Sequence, residues 1–258
     1  MASEVRQPNA EERAGRYLTA LADRHLRDLK FAEVSRALRA LSSGYVEKRE
    51  VGGLDRALDG RGKKAAFALY YGAIHFAATM ALVSEFHLHI DRAAPGPIVD
   101  LGCGTGVCGA AWAIESGRSG PLQGVDRSPF ARHEAEWTYR TLGLRGETHS
   151  SIAEVLARAE RPCAVVLGFA LNELDEGLRG AIGEHCLRAH GRGARILVIE
   201  PISKRVAPWW VDWTAPFVAR GARVVETRLR LELPQKVALL GRAAGLRPDS
   251  IAVRALAS

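Results

Sequence analysis

The stretch from Ile98 to Gly109 reads IVDLGCGTGVCG, an apolar run that ends in an acidic residue and passes at once into alternate glycines. Glycine tolerates positive φ and lets a ligand or another backbone come close, so the pattern predicts a buried strand, a tight loop and the first turn of a helix. Two spacings overlap in it. Gly102, Gly104 and Gly106 form G-x-G-x-G behind Asp100, whereas Gly104, Gly106 and Gly109 form G-x-G-x-x-G. Either one commits this part of the chain to an α/β fold with a ligand at the strand-to-helix turn.

Short apolar runs at residues 98–101, 122–125, 164–167 and 196–199 are each followed by a loop and a helical stretch, the alternation of a doubly wound parallel sheet. Residues 221–232 and 250–257 read as later strands, separated by a helix over 235–244, that close one sheet edge. Ahead of Pro95, Gly96 and Pro97 the period is helical instead. Asn9 is placed to cap a helix in which Ala14, Tyr17, Leu18, Leu21, Ala22 and Leu26 recur at helical spacing. Phe31, Val34, Leu38 and Leu41 continue that period until Ser42, Ser43 and Gly44 end it. The expected organisation is a helical cap over residues 1–95 and an α/β domain over residues 96–258.

Several function classes are set aside by composition. Residues 65–84 carry no Asp, Glu, Lys or Arg and are long enough to cross a bilayer, but alanine dominates, with Tyr70, Tyr71, Gly72 and His75 among them. The segment therefore reads as a buried helix rather than a membrane span. Cys103, Cys108, Cys163 and Cys186 lack metal-ligand spacing, and His87 and His89 point to different sides of a strand or helix, so neither disulfides nor a metal site is expected. The polar N-terminal residues lack an apolar leader core, and the expectation is a cytoplasmic protein. A formal net charge of +7 favours anionic partners such as RNA, although the arginines are spread along the chain rather than gathered.

The acidic residues discriminate between ligands. A carboxylate at the end of the first strand, Asp100, would repel a pyrophosphate and complement a positively charged group. Asp126 ends the next strand about 20 residues past the loop, where a carboxylate can accept hydrogen bonds from both ribose hydroxyls. Asp126 alone suits a nicotinamide dinucleotide too, and an NAD-dependent oxidoreductase is the rival reading of G-T-G-V-C-G.

With Ile98 to Gly106, G-V-D at Gly124 to Asp126, A-V-V-L-G-F-A-L-N-E-L at Ala164 to Leu174 and I-L-V-I-E-P at Ile196 to Pro201, the chain resembles the class I S-adenosylmethionine-dependent methyltransferases. Their methyl donor carries an ammonium and a sulfonium and no phosphate. The resemblance implies a Rossmann-like seven-stranded sheet, with Asp100, Gly102, Cys103, Gly104 and Gly106 around the methionine part of the donor. It also implies Asp126 and Arg127 at the ribose, Ser150, Ser151 and Ile152 beside adenine, and Phe169 after the fourth strand. L-S-S-G-Y at Leu41 to Tyr45, the paired tyrosines, N-E-L and I-E-P are similar to a methyltransferase-like family associated with the small ribosomal subunit, whose cysteine-rich cluster motif has no counterpart here. The fourth strand also departs from the common pattern: Cys163 stands where many members have an acid, and Gly168-Phe169-Ala170-Leu171-Asn172-Glu173 replaces the Asn-Pro-Pro-Tyr of base-amine methylases.

On the acceptor side, Asn172 and Glu173 lie at the carboxyl end of the fourth strand, where ligands of such sheets bind. Tyr71 and His75 are candidates on the apolar helix, and Trp209 and Trp210 are candidates for a stacking platform beside a basic stretch. The expected partner is a methyl acceptor, either RNA or a ribosomal particle or a small planar molecule. A non-catalytic assembly factor that keeps the cofactor fold is the remaining alternative.

Overall fold

A computed structural model describes residues 9–47, 58–158, 161–203 and 207–258. The first helix, α1 (Ala10–Leu26), starts where the sequence places it. Asn9 Oδ1 accepts the Glu12 amide at 2.8 Å and Glu12 reaches back to the Asn9 amide at 3.1 Å, a reciprocal capping box. α2 (Phe31–Glu47) runs past the expected stop at Ser42 to Gly44. The hydroxyls of Ser42 and Ser43 donate back to Arg39 O, which lets both serines stay in a helix. The glycine pair Gly52-Gly53, which the sequence reads as a break ahead of the apolar helix, lies outside the described residues.

The apolar segment forms α3 (Arg61–Glu85), which is the one helix among the described residues long and apolar enough to cross a membrane. Its inner residues, including Ala68, Leu69, Tyr70, Ala73, Phe76, Ala78, Leu82 and Val83, are buried in the protein core. Between Phe67 and Tyr71 the helix widens into a π turn, in which the Gly72 amide bonds to Phe67 O.

The sheet contains β1 (Ile98–Leu101), β2 (Leu122–Val125), β3 (Gly146–His149), β4 (Ala164–Gly168), β5 (Arg195–Pro201), β6 (Arg223–Arg230) and β7 (Ser250–Ala257). Their order is β3-β2-β1-β4-β5-β7-β6. β1 to β5 are parallel, and β7 runs antiparallel between β5 and β6. This is the seven-stranded Rossmann-like sheet expected from the sequence. The order reverses between β1 and β4, so a crevice opens at their carboxyl ends. Helices α4 (Val107–Glu115), α5 (Pro129–Thr141), α6 (Ile152–Arg158), α7 (Glu176–His190), α8 (Trp210–Val218) and α9 (Gln235–Ala243) complete the layers.

One continuous apolar cluster joins the cap to the sheet: Tyr17, Leu21, Leu38, Leu69 and Phe76 share it with Ile98, Trp112, Val166 and Leu197. The opposite sheet face, with Val99, Val165, Val198 and Leu256, packs on Ile182, Cys186, Trp210 and Phe217 of α7 and α8. Polar ties reinforce the first interface. Arg24 and His25 reach Glu134 on α5, and the Tyr17 and Thr138 hydroxyls are 3.2 Å apart. The linker into β1 is pinned as well, because buried Arg118 donates to the carbonyls of Asp91, Ala94 and Gly96.

Candidate cofactor and acceptor site

A cavity of about 300 Å³ occupies the crevice at the carboxyl ends of β1, β2 and β4, roofed by α3. Ligand pockets start near this size. Its floor is the glycine loop. Gly104 has φ +52° and open space where a side chain would stand, so this loop leaves room for a ligand to approach its backbone. Gly102, Cys103, Gly104 and Thr105 line the cavity, whereas Gly106 turns away and packs against Ala135 and Tyr139 of α5.

Asp126 fixes the loop against β2. Its Oδ2 accepts the Gly104 amide at 3.0 Å and its Oδ1 accepts the Ser128 amide at 2.9 Å. Asp126 also lines the cavity, where a carboxylate can accept from hydroxyl donors. Arg127 and Ile152 share that wall. Ser151 does not: its hydroxyl accepts the Glu154 amide at 3.3 Å at the start of α6, and Ser150 lines the cavity in its place.

Asp100 corrects the expectation that it faces the ligand. It is 1% exposed and absent from the cavity wall. Its Oδ2 accepts the Gly109 amide at 2.8 Å, and its Oδ1 has no hydrogen-bond partner among the described residues. Burial raises its carboxyl to about 7. The bond explains Gly109, because a Cβ there would lie 2.9 Å from Asp100 Oδ2 and 3.0 Å from Leu122 Cδ2. It also directs inward one of the helix N-terminal amides that a pyrophosphate would use.

The segment after β4 forms the far wall. Phe169 adopts a left-handed backbone at φ +60°, which a non-glycine side chain rarely holds without being over-determined by its surroundings. Here its amide donates to Ile199 O at 2.7 Å and its carbonyl accepts Asn172 Nδ2 at 3.2 Å. Asn172 in turn is held by Glu200 at the end of β5: Nδ2 lies 2.5 Å from Oε2, and the Asn172 amide donates to Oε1 at 3.3 Å. Glu200 is fully buried, and that burial pushes its carboxyl up to about 7. Asn172 is thus a positioning residue bonded to Glu200 rather than a cavity residue, while its neighbour Glu173 does line the cavity.

From the cap, Phe67, Gly72 and His75 reach the same cavity. The His75 ring stacks on Phe169 with centroids 3.8 Å apart and planes 10° from parallel. Burial pushes the His75 imidazole down to about 3, so it stays neutral. Tyr71 does not line the cavity but lies between Phe67 and His75, 6.1 Å from each.

The tryptophans are elsewhere. Trp210 is 2% exposed and buried against the far sheet face, and Trp209 packs over the Arg179 guanidinium at 4.6 Å. Neither lines the cavity, and the expected stacking platform is not formed by them. Their effect is indirect. Arg179 donates to the carbonyls of Leu171 and Leu174, clamping the turn that carries Glu173, and Trp213 Nε1 donates to Arg179 O at 3.0 Å.

Sequence reasoning missed Phe67, Thr105, Cys108, Leu178 and Ile182 as wall residues. Phe67 and Ile182 carry no motif; Thr105 and Cys108 lay inside the quoted glycine stretch and were available from it. Among the described residues, no group of three or more His, Cys, Asp or Glu side chains is placed to hold a metal ion.

No protein-family model and no curated protein matches the chain. Among solved structures it is similar to a precorrin-6y C5,15-methyltransferase from Geobacter metallireducens GS-15, at 14% identity and TM-score 0.48 over 70% of this chain and 85% of that one. It is similar to the mitomycin 7-O-methyltransferase MmcR at 15% identity and TM-score 0.48, over 97% of this chain and 72% of that one. A cyclopropane-fatty-acyl-phospholipid synthase-like protein from Lactobacillus casei ATCC 334 aligns at 17% identity and TM-score 0.44, over 74% of this chain and 93% of that one. At these values the likeness is one of fold alone.

Proposed function

We propose that the chain is an S-adenosylmethionine-dependent methyltransferase acting on a small molecule. One observation carries the reading. The cavity sits where a doubly wound sheet binds nucleotides, yet among the described residues lining it the charged groups are Asp126, Glu173 and Arg127, two carboxylates against one guanidinium. A pyrophosphate finds little there to neutralise it, and the Gly109 amide is already engaged by Asp100. A nucleoside bearing positive charge fits both facts, and the open face of Gly104 admits its close approach.

The chain's contribution is then to hold and orient. Asp126 accepts from ribose hydroxyls, the loop from Gly102 to Thr105 cradles the amino-acid portion, and Ser150 and Ile152 flank the base. When bound, S-adenosylmethionine supplies an activated methyl group on a sulfonium sulfur and leaves as S-adenosylhomocysteine. Placing an acceptor in line with that methyl accounts for much of the rate in such a displacement. Where the acceptor carries a proton, Glu173 is the wall carboxylate able to take it. His75 serves as a neutral contact, because a group held near 3 is a poor base at neutral pH.

A small-molecule acceptor is favoured over an RNA chain because α3 of the same chain roofs the cavity and Arg127 is the one basic residue among the described residues that line it. Incubation with radiolabelled methyl donor and fractionated cell extract tests the reading. Label in the small-molecule fraction is expected, and label confined to RNA or ribosomal particles would overturn the acceptor class.

A further inference from the structure

The cap presents an aromatic series that the cofactor reading does not use. Phe67, Tyr71 and His75 follow one another at i, i+4 and i+8 through the π turn, each ring 6.1 Å from the next, and His75 stacks on Phe169 at 3.8 Å. Aromatic residues at helical spacing are ordinarily core. These three remain half-buried, while their neighbours Ala68, Leu69, Tyr70, Ala73 and Phe76 are buried. The series therefore runs from a partly open helix face down to the cavity wall, where Phe67, His75 and Phe169 all contribute to the lining. π turns recur at functional sites because the added residue redirects a helix face.

We propose that the cavity-facing rungs of this series, Phe67, His75 and Phe169, are the stacking wall for the methyl acceptor, and that the acceptor is a planar aromatic molecule without negative charge. The inference rests on the methyltransferase reading for the word acceptor; the wall itself does not. Partly buried rings on a cavity wall offer π surface to a planar partner, independent of its hydrogen-bonding pattern. Asp126 and Glu173 on the adjoining walls disfavour an anion. The backbone of Phe169, pinned by Ile199 and Asn172, keeps the last rung in place. The position of Trp209 and Trp210 outside the cavity leaves this ladder as the aromatic surface at the site among the described residues.

The test begins with calorimetric titration of the purified chain by S-adenosylhomocysteine, which examines the cofactor reading alone. The product-saturated protein is then titrated with 1-naphthol, with cyclohexanol as a non-planar alcohol, and with a short single-stranded oligoribonucleotide. The expected result is about tenfold tighter binding of 1-naphthol than of cyclohexanol, with Phe67→Leu and His75→Leu each weakening naphthol about tenfold. Phe67→Leu keeps apolar volume and stays informative if His75→Leu does not fold, and Tyr71→Leu, at a position off the cavity wall, should leave both affinities nearly unchanged. Equal affinity for the two alcohols, or naphthol binding unaffected by Phe67→Leu, would overturn the proposal. Ladder-dependent binding of the oligoribonucleotide alone would keep the planar ring, assign its source to RNA and sink the small-molecule reading. If S-adenosylhomocysteine does not bind, the cofactor reading fails, and the naphthol titration still decides the wall.

Discussion

Asp100 and Asp126 end neighbouring strands and do opposite jobs. Asp126 lines the cavity, and we expect Asp126→Ala to weaken S-adenosylmethionine binding by about tenfold or more, the loss of a charge-assisted pair of hydrogen bonds, with little change in melting temperature. Unchanged affinity in a titration would place the ribose elsewhere. Asp100 faces the core, and its carboxyl, raised to about 7 by burial, is protonated more readily in the folded chain than in the unfolded one. Its contribution to stability is therefore fully present below the unfolded value near 4 and is lost as pH rises through about 7. Asp100→Asn removes that dependence, so its melting temperature should gain on the wild type as pH goes from 5 to 8; a constant difference contradicts the assignment. At Gly109 an added methyl has no room, and Gly109→Ala should cost about 1–3 kcal/mol in denaturant unfolding. Both aspartates were visible in the sequence as strand-end acids. Spacing could not show which of them turns its carboxylate behind the loop, because that depends on how closely α4 approaches β1.

The turn after β4 shows how elements supply what single residues cannot. Phe169 and Glu173 reach the cavity because β5 holds the turn through Ile199 and Glu200, and α7 clamps it through Arg179 under Trp209. Arg179→Ala should lower S-adenosylmethionine affinity several-fold while the chain stays folded, since two carbonyls lose their donor and the wall loosens; a titration that matches the wild type would separate α7 from the site. The sequence marked Asn172, Glu173, Trp209 and Trp210 without their ranks. Helical spacing puts Trp209 and Trp213 on one face, but which sheet face α8 covers is decided by packing. β3 shows the complementary limit. GETH is short, polar and half-exposed at the sheet edge, so it has none of the apolar signal that exposed β1, β2, β4 and β5 to reading. The antiparallel direction of β7 was equally illegible, because a strand's own residues do not encode which way its neighbour runs.

For the molecule as a whole, the cap and the sheet share a core, and the sequence boundary at Pro95 marks a change of period rather than a gap in packing. We expect one cooperative thermal transition, with two resolved transitions contradicting a shared core. Glu134 is the polar counterpart of that core. Burial opposes its ionisation, but the bonds from His25 and Arg24 on α1 outweigh it and lower the carboxyl to about 2. This contribution is present above the unfolded value near 4.5 and is lost as pH falls toward 2. Glu134→Gln should cost about 3 kcal/mol at neutral pH, and the difference from wild type should shrink below pH 4. The alternation of strands and helices, the cap and the glycine loop were all legible in advance, whereas the series from Phe67 to Phe169 exists only once α3 packs against the turn after β4.

On this reading the crevice between β1 and β4 binds a positively charged nucleoside rather than a dinucleotide. Parallel calorimetric titrations of the purified chain with S-adenosylmethionine and with NAD test it most directly. Saturable binding of S-adenosylmethionine is expected, abolished or strongly weakened by Asp126→Ala, with no detectable heat from NAD. Binding of NAD alone would contradict it.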